Sequence, residues 1–221
     1  MGRAKKVLFL LPPSQGIYAK AKVKVAVPER PSLTFATLAA PLLQEGHHVE
    51  LLDLNQAKSP HRALEEKLEE LGPDIVGMTC TTPLVPEVRT LTSLIKEYDA
   101  RTVVAAGGPH PSAFPQQTLL ECGLDVVCQG EGDYAISALA AGDDWSSIPG
   151  ISYRRDGQAF SNERTGFIKN LDALPFPSWG LFDLKKYKSP RLSCRKNPVG
   201  TIETSRGCVF GCTYCNKTVF G

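Results

Sequence analysis

The sequence predicts an α/β fold: a doubly wound, five-stranded parallel sheet over residues 1–142. Two observations lead there. Short apolar runs alternate five times with segments of helical periodicity. The runs are apolar throughout rather than at every second residue, which is how strands covered on both faces read. A third observation, a change in composition and charge near residue 143, marks where the alternation stops.

The first predicted strand is Val7–Leu11, a continuous apolar run that stops at Pro12-Pro13. After Pro31, the residues Phe35, Leu38, Ala39, Leu42 and Leu43 recur at i, i+3, i+4, i+7 and i+8. That is one face of a helix, with Gly46 at its C-terminal end and Pro41 expected to kink it. His48–Leu54 is the second strand. Ser59-Pro60 caps a helix that places Leu64, Leu68 and Leu71 on one face and ends at Gly72. Its Glu65, Glu66, Glu69 and Glu70 read as a solvated face. Asp74–Thr79 is the third strand, and Val88, Leu91, Leu94 and Ile95 define the helix that follows. Thr102–Ala106 and Leu124–Cys128 are the fourth and fifth strands. Between them Leu119 and Leu120 belong to a helix ended by Gly123, and Tyr134–Ala141 is a short last helix. Five β-α units with right-handed crossovers place helices on both faces, and the flavodoxin-like strand order 2-1-3-4-5 follows as the expectation. In such a sheet a ligand sits beyond the carboxyl ends of the strands. Four loops therefore matter: Pro12–Gly16, Cys80–Pro83, Gly107–His110 and Gln129–Asp133.

From residue 143 to 198 the pattern is that of a connecting region. Ile148–Arg155 reads as a strand entering a tight turn at Asp156-Gly157. Leu174-Pro175-Phe176-Pro177-Ser178-Trp179 is incompatible with a regular helix or a central strand. Residues 199–221 form a third unit, in which Val199–Thr204 is expected to be a strand that leads into a cysteine loop.

Composition narrows the function classes. The 221 residues are 42% hydrophobic and 22% charged, which excludes disorder and coiled coil as the main character. The net charge of +2 hides an asymmetry. Residues 1–143 hold 13 Lys/Arg against 17 Asp/Glu, and residues 144–221 hold 12 against 6. No apolar run approaches the roughly 20 residues of a membrane span. No cleavable leader pattern surrounds Val7–Leu11. A cytoplasmic protein is expected, and the odd number of seven cysteines fits a reducing compartment.

Three of the seven cysteines, Cys208, Cys212 and Cys215, are spaced C-x3-C-x2-C. Three thiolates this close can hold one face of an iron–sulfur cube, and Gly207 and Gly211 let the backbone turn around it. The fourth iron would remain open to a substrate or cofactor. Zinc is the competing reading. It asks for four ligands, whereas the chain adds only the distant Cys194 and has no histidine after His110.

The string Thr204-Ser205-Arg206-Gly207-Cys208-Val209-Phe210-Gly211-Cys212, with Tyr214 before Cys215, resembles the signature of radical S-adenosylmethionine (radical SAM) enzymes. The upstream chain resembles the cobalamin-binding domain that precedes their barrel in one large subgroup. It does so through Leu10–Pro13, Gly107–His110, Val126–Asp133, Ile148–Ile151 and Leu171–Pro177. The resemblance covers nearly the whole chain.

The resemblance implies a [4Fe-4S] cluster on Cys208, Cys212 and Cys215, with S-adenosylmethionine chelated by the open iron and Tyr214 near the adenine. An electron from the cluster would release a 5′-deoxyadenosyl radical that abstracts hydrogen from an unactivated carbon. Cobalamin is implied as second cofactor. The histidine motif D-x-H-x-x-G of cobalamin mutases is absent, so cobalamin bound here is expected to lack such a protein histidine. Pro13, Ser14, Gly107, Gly108, Gly130, Glu131 and Gly132 are the candidate contacts, because glycine lets backbone approach a large flat ligand. His110 at the sheet edge is another, or else a turn residue. Thr79, Thr81 and Thr82 are candidates for bonds to the nucleotide tail, or caps of the next helix.

The implied function is a methyltransferase that uses methylcobalamin, acting on a small-molecule substrate. An electron donor such as a flavodoxin or ferredoxin is the expected partner, with no nucleic acid. The alternatives are a radical oxidative cyclase or rearrangement enzyme, and a non-catalytic cobalamin-binding module. A full barrel takes about 250 residues. The chain is therefore expected to supply the first barrel strand and the cysteine loop of a truncated radical SAM domain, and to be inactive alone.

Overall fold

The alternation of side chains along the first strand already builds two cores. In β1 (Lys6–Leu11), Val7 and Phe9 point to one face and Leu8 and Leu10 to the other, and all four are buried. A strand covered on both faces must be apolar at every position, which is why the run carries no polar alternation. The computed structural model describes residues 3–14, 30–164, 166–189, 194–215 and 217. Gln15 and Gly16 of the first predicted ligand loop lie outside them.

The other strands are β2 (His48–Asp53), β3 (Ile75–Thr79), β4 (Val103–Gly107) and β5 (Val126–Cys128), then β6 (Ile151–Arg155) and β7 (Gln158–Ser161). The helices are α1 (Leu33–Gln44), α2 (Pro60–Leu71), α3 (Val85–Tyr98), α4 (Pro109–Ala113), α5 (Pro115–Glu121) and α6 (Asp133–Ala141). The sheet order is β2-β1-β3-β4-β5-β6-β7. The first five strands pair in parallel, in the expected order 2-1-3-4-5. Helices α1 and α6 cover the face that holds Phe9, Ile75 and Val126. Helices α2, α3 and α5 supply Leu64, Leu68, Val88, Leu91 and Leu119 to the other.

The sheet does not end at β5. The hairpin Ile151–Ser161 adds two antiparallel strands, so the sheet is mixed and seven-stranded rather than parallel and five-stranded. The hairpin itself was legible. Asp156 and Gly157 have φ of 52° and 77°, the double positive φ of a two-residue turn whose twist matches the strands. Its pairing partner was not legible, because an unpaired edge of β5 leaves no mark in local sequence. Ile151 and Ser152 are fully buried and Tyr153 is 4% exposed, so β6 is as much core as β1.

Four local expectations are corrected. Val199–Thr204 is not a strand: its backbone is irregular, with no sheet neighbour among the described residues to take its hydrogen bonds. The stretch read as a loop at Gly107–His110 enters α4 at Pro109, because proline at a first helical position loses no bond. Ser59 occupies the N-cap position of α2, but its side chain makes no capping bond there. Leu43 is exposed although the periodicity placed it on the apolar face of its helix. Helix α1 continues through Pro41, and Ser32 caps it by accepting from the Phe35 amide at 3.3 Å.

The connecting region lies against α1. The Ser178 amide donates to the Ala36 carbonyl at 2.7 Å, and Phe182 and Tyr187 are buried in the α1 core. The Tyr187 hydroxyl donates to Asp53 Oδ2 at 3.1 Å, which ties residue 187 to the end of β2. Among the described residues no helix is long and apolar enough to cross a membrane.

Candidate functional site

On the α1 face, side chains shrink toward the carboxyl ends of the strands. Ile75 is followed by Gly77 on β3, and Ala105 by Gly107 on β4. The space they leave is a cleft of about 290 Å³ between the sheet and the first half of α1. Phe9 and Phe35, stacked at 4.9 Å between centroids, close its inner end. Thr79, Gly107 and Gly108 form its floor, and Gly130, Glu131, Gly132 and Asp133 one wall.

The glycines are needed there for different reasons. Gly108 has φ of +105°, and a Cβ on it would sit 3.1 Å from the Cys80 carbonyl and 3.2 Å from Thr79 Oγ1. Gly77 packs so closely that a Cβ would meet the Phe9 ring at 3.0 Å. Gly107 has ordinary room, its nearest neighbour 3.6 Å away, so its missing side chain serves the cleft rather than the fold.

The rest of the wall is ionic. Arg206 Nη1 donates to Glu131 Oε1 at 2.9 Å and to Asp133 Oδ2 at 3.0 Å, and Arg206 Nε donates to Glu203 Oε2 at 2.8 Å. The Arg206 side chain is 11% exposed, and those of Glu131 and Asp133 are 5%. Burial acts to lower the guanidinium pKa, but the hydrogen bonds from Asp133, Glu203 and Glu131 outweigh it and hold the group above its ordinary value. Glu131 is used twice, because its Oε2 accepts the Ile168 amide at 2.6 Å. Asp133 lies in the first turn of α6, where the helix dipole favours an anion.

Of the residues singled out from sequence, Thr79, Gly107, Gly108, Gly130, Glu131 and Gly132 come together in this cleft. Others do not line it. Ser14 donates through its amide and hydroxyl to Asn55 Oδ1, both at 2.8 Å, and Pro13 precedes it in that loop. Thr81 and Thr82 are exposed, and Thr82 Oγ1 pairs with His110 Nδ1 at 3.1 Å. His110 is buried, and its Nε2 has no partner among the described residues. Sequence reading missed Phe9, Phe35, Gly77, Cys128 and Arg206 as cleft residues, and placed Asp133 only within a ligand loop. The run Ala105-Ala106-Gly107-Gly108, too small to fill a strand face, was the available signal.

Cys208, Cys212 and Cys215 are exposed, undisulfided and carried on one irregular loop, with the Cys215 amide donating to the Cys212 carbonyl at 3.2 Å. Tyr214 is 91% exposed. Among the described residues no three His, Cys, Asp or Glu side chains are grouped closely enough to hold a metal. The donor set still fits a cluster in its chemistry: three soft thiols, accessible from solvent, on a loop with Gly207 at φ of +91°. By contrast, burial pushes Cys80 and Cys128 up to about 12 and Cys122 up to about 11, so these remain neutral thiols.

The family model "B12 binding domain" matches residues 20–140. The chain is 31% identical over 219 residues to "Uncharacterized methyltransferase PH0819" of Pyrococcus horikoshii, covering 97% of this chain and 46% of that protein. It is 29% identical over 222 residues to the anaerobic magnesium-protoporphyrin IX monomethyl ester cyclase of Synechocystis sp., covering 97% of this chain and 43% of that one. Among solved structures it matches the radical S-adenosylmethionine methyltransferase TsrM of Kitasatospora setae, determined with cobalamin and a [4Fe-4S] cluster bound. That match has a TM-score of 0.70 at 22% identity and covers 99% of this chain and 42% of the other. The chain thus spans less than half the length of these relatives. Most of the cleft lining falls within the matched residues, with Phe9, Glu203 and Arg206 outside them, and the C-x3-C-x2-C loop follows: this chain belongs to the B12-binding domain family.

Proposed function

We propose that this chain is the cofactor-binding part of a cobalamin-dependent radical SAM methyltransferase. The observation that carries the reading is the glycine-floored cleft at the carboxyl ends of β3, β4 and β5, whose glycines all lie inside the region matched by the B12-binding model. A corrinoid is far larger than about 290 Å³, so the cleft would take a flat arm of it and not the macrocycle. Its lining suits such an arm. Phe9, Phe35 and Leu38 give an apolar surface, while Thr79 and the backbone at Gly107 and Gly108 offer polar contacts at one end.

Cys208, Cys212 and Cys215 would hold the cluster. When bound, the cluster and S-adenosylmethionine supply radical activation, and cobalamin supplies methyl transfer. The chain's own part is to bind and orient. The cleft excludes water around the inserted arm, and the cysteine loop is held next to it by Arg206. A small-molecule substrate and an external one-electron donor complete the reading.

The chain is 29% identical to a cyclase against 31% to a methyltransferase, each over 97% of its length, so radical ring closure is the second reading. The methyl group of labelled S-adenosylmethionine separates them: it enters product in the first and not in the second.

Two measurements test the cofactor assignments. Hydroxocobalamin should be retained on equilibrium dialysis, with an absorption spectrum free of histidine ligation. Anaerobic reconstitution with iron and sulfide should load about four irons. Cys212→Ala should lose them, and normal loading in that variant would remove the ligand assignment.

A further inference from the structure

The ionic wall of the cleft joins two parts of the chain far apart in sequence. Glu131 belongs to the turn between β5 and α6, and Asp133 is the first residue of α6. Glu203 and Arg206 belong to the segment that enters the cysteine loop, and Arg206 lies two residues before Cys208. This segment has no sheet to hold it: Val199–Thr204 is irregular, and Ile202 and Val209 on either side of the ion pairs are 83% and 94% exposed. In the middle of it the Arg206 side chain, only 11% exposed, lies against the domain. Guanidinium is a planar fork of donors, so bonding from Nη1 and Nε in different directions fixes orientation as well as distance. Exposed ion pairs hold little, whereas a buried one that keeps all its hydrogen bonds resists rearrangement.

We propose that Arg206, gripped by Glu131 and Asp133, is a positioning residue that registers the cysteine loop against the mouth of the cleft. A group bound on Cys208, Cys212 and Cys215 is thereby held at a set separation from a ligand in the cleft. The identity of those two groups rests on the reading above; the latch does not. One side of the latch is rigid for reasons independent of Arg206. Asp133 is fixed in the first turn of α6, Glu131 accepts the Ile168 amide, and the Gly130 amide donates to Ser112 Oγ at 2.9 Å. The arginine therefore brings the loop to the domain.

Backbone order in this chain tests the latch without any cofactor. Nuclear magnetic relaxation should give order parameters near the rigid value of about 0.85 for residues 203–208, falling below about 0.6 in Arg206→Gln. Values in β1, β3 and β4 should not change. Arg206→Lys, which keeps the charge and loses the fork, should fall between. Unchanged order at 203–208 in R206Q would overturn the proposal. So would a drop spread evenly over the sheet, which is the mark of a merely structural residue.

Cob(II)alamin then provides a distance readout, because its unpaired electron broadens nearby amide resonances. Amides of residues 206–212 should broaden in the native chain and sharpen in R206Q, while those of Gly107 and Gly108 stay broadened in both. Equal broadening of 206–212 in both proteins counts against the latch. Absence of broadening at Gly107 and Gly108 in the native chain counts against the cofactor reading alone, with the latch still decided by the order parameters.

Discussion

Gly107 and Gly108 are neighbours with different duties, and substitution should separate them. Gly108→Ala meets a positive φ and a carbonyl 3.1 Å away, so it should lower stability by about 1–3 kcal/mol in chemical denaturation. Gly107→Ala has ordinary contact distances and should leave the denaturation midpoint within about 0.5 kcal/mol of the parent. It places a methyl on the cleft floor, however, and should weaken hydroxocobalamin retention measurably. The cysteines divide in the same way. At pH 8 under native conditions a disulfide reagent should modify Cys208, Cys212 and Cys215 quickly. Cys80, Cys122 and Cys128 should react only after unfolding.

Those buried thiols also set a pH dependence. Their folded pKa values, about 12, 11 and 12, lie above the ordinary 9.0, so above pH 9 the unfolded chain loses protons that the folded chain keeps. Their contribution to stability is complete below pH 9 and is lost as pH rises toward 11–12. Denaturation midpoints measured from pH 8 to 11 should fall steadily, and substituting Cys80 by Ala should flatten the fall. At this scale glycine and cysteine identities could be read from sequence. Which glycine borders a cleft could not, because that depends on what packs opposite.

Among the elements, the hairpin Ile151–Ser161 is the one whose place changed most. Its turn chemistry and alternation announce two strands, but they belong to the main sheet and not to a separate connection. If β6 is core, Ile151→Ala should cost about 2–5 kcal/mol, as for a buried large-to-small change. A loss under about 0.5 kcal/mol would mark the hairpin as peripheral. Helix α1 gives the opposite lesson. Its periodicity and its cap at Ser32 are local, and the helix forms where expected even with Pro41 inside it. Pro41→Ala should restore a backbone bond within the helix and raise stability by at least about 1 kcal/mol. The strand expected at Val199–Thr204 fails for a reason of the same kind as the hairpin's misplacement. A strand is a relation between two segments, and its sequence carries only one of them.

For the whole molecule, the test of the cleft is mass action. Hydroxocobalamin at about 100 times its dissociation constant should stabilise the folded chain by about 2.7 kcal/mol and raise the midpoint of thermal unfolding by several degrees. No change in the midpoint, with no change in the cobalamin spectrum, would show that the cleft is not its site. Legible in the chain alone were the five parallel strands and their order, the cysteine spacing, and two of the four expected ligand loops, Gly107–His110 and Gln129–Asp133. All of these follow from local periodicity, chain chirality and short-range ligand geometry. Tertiary structure alone decided that β6 and β7 extend the sheet and that α1 leaves a cavity over Gly77 and Gly107. It alone decided that Arg206 reaches back 73 residues to Asp133. Each of these is a meeting of distant segments, fixed by packing and charge across space, and no window of sequence contains both partners.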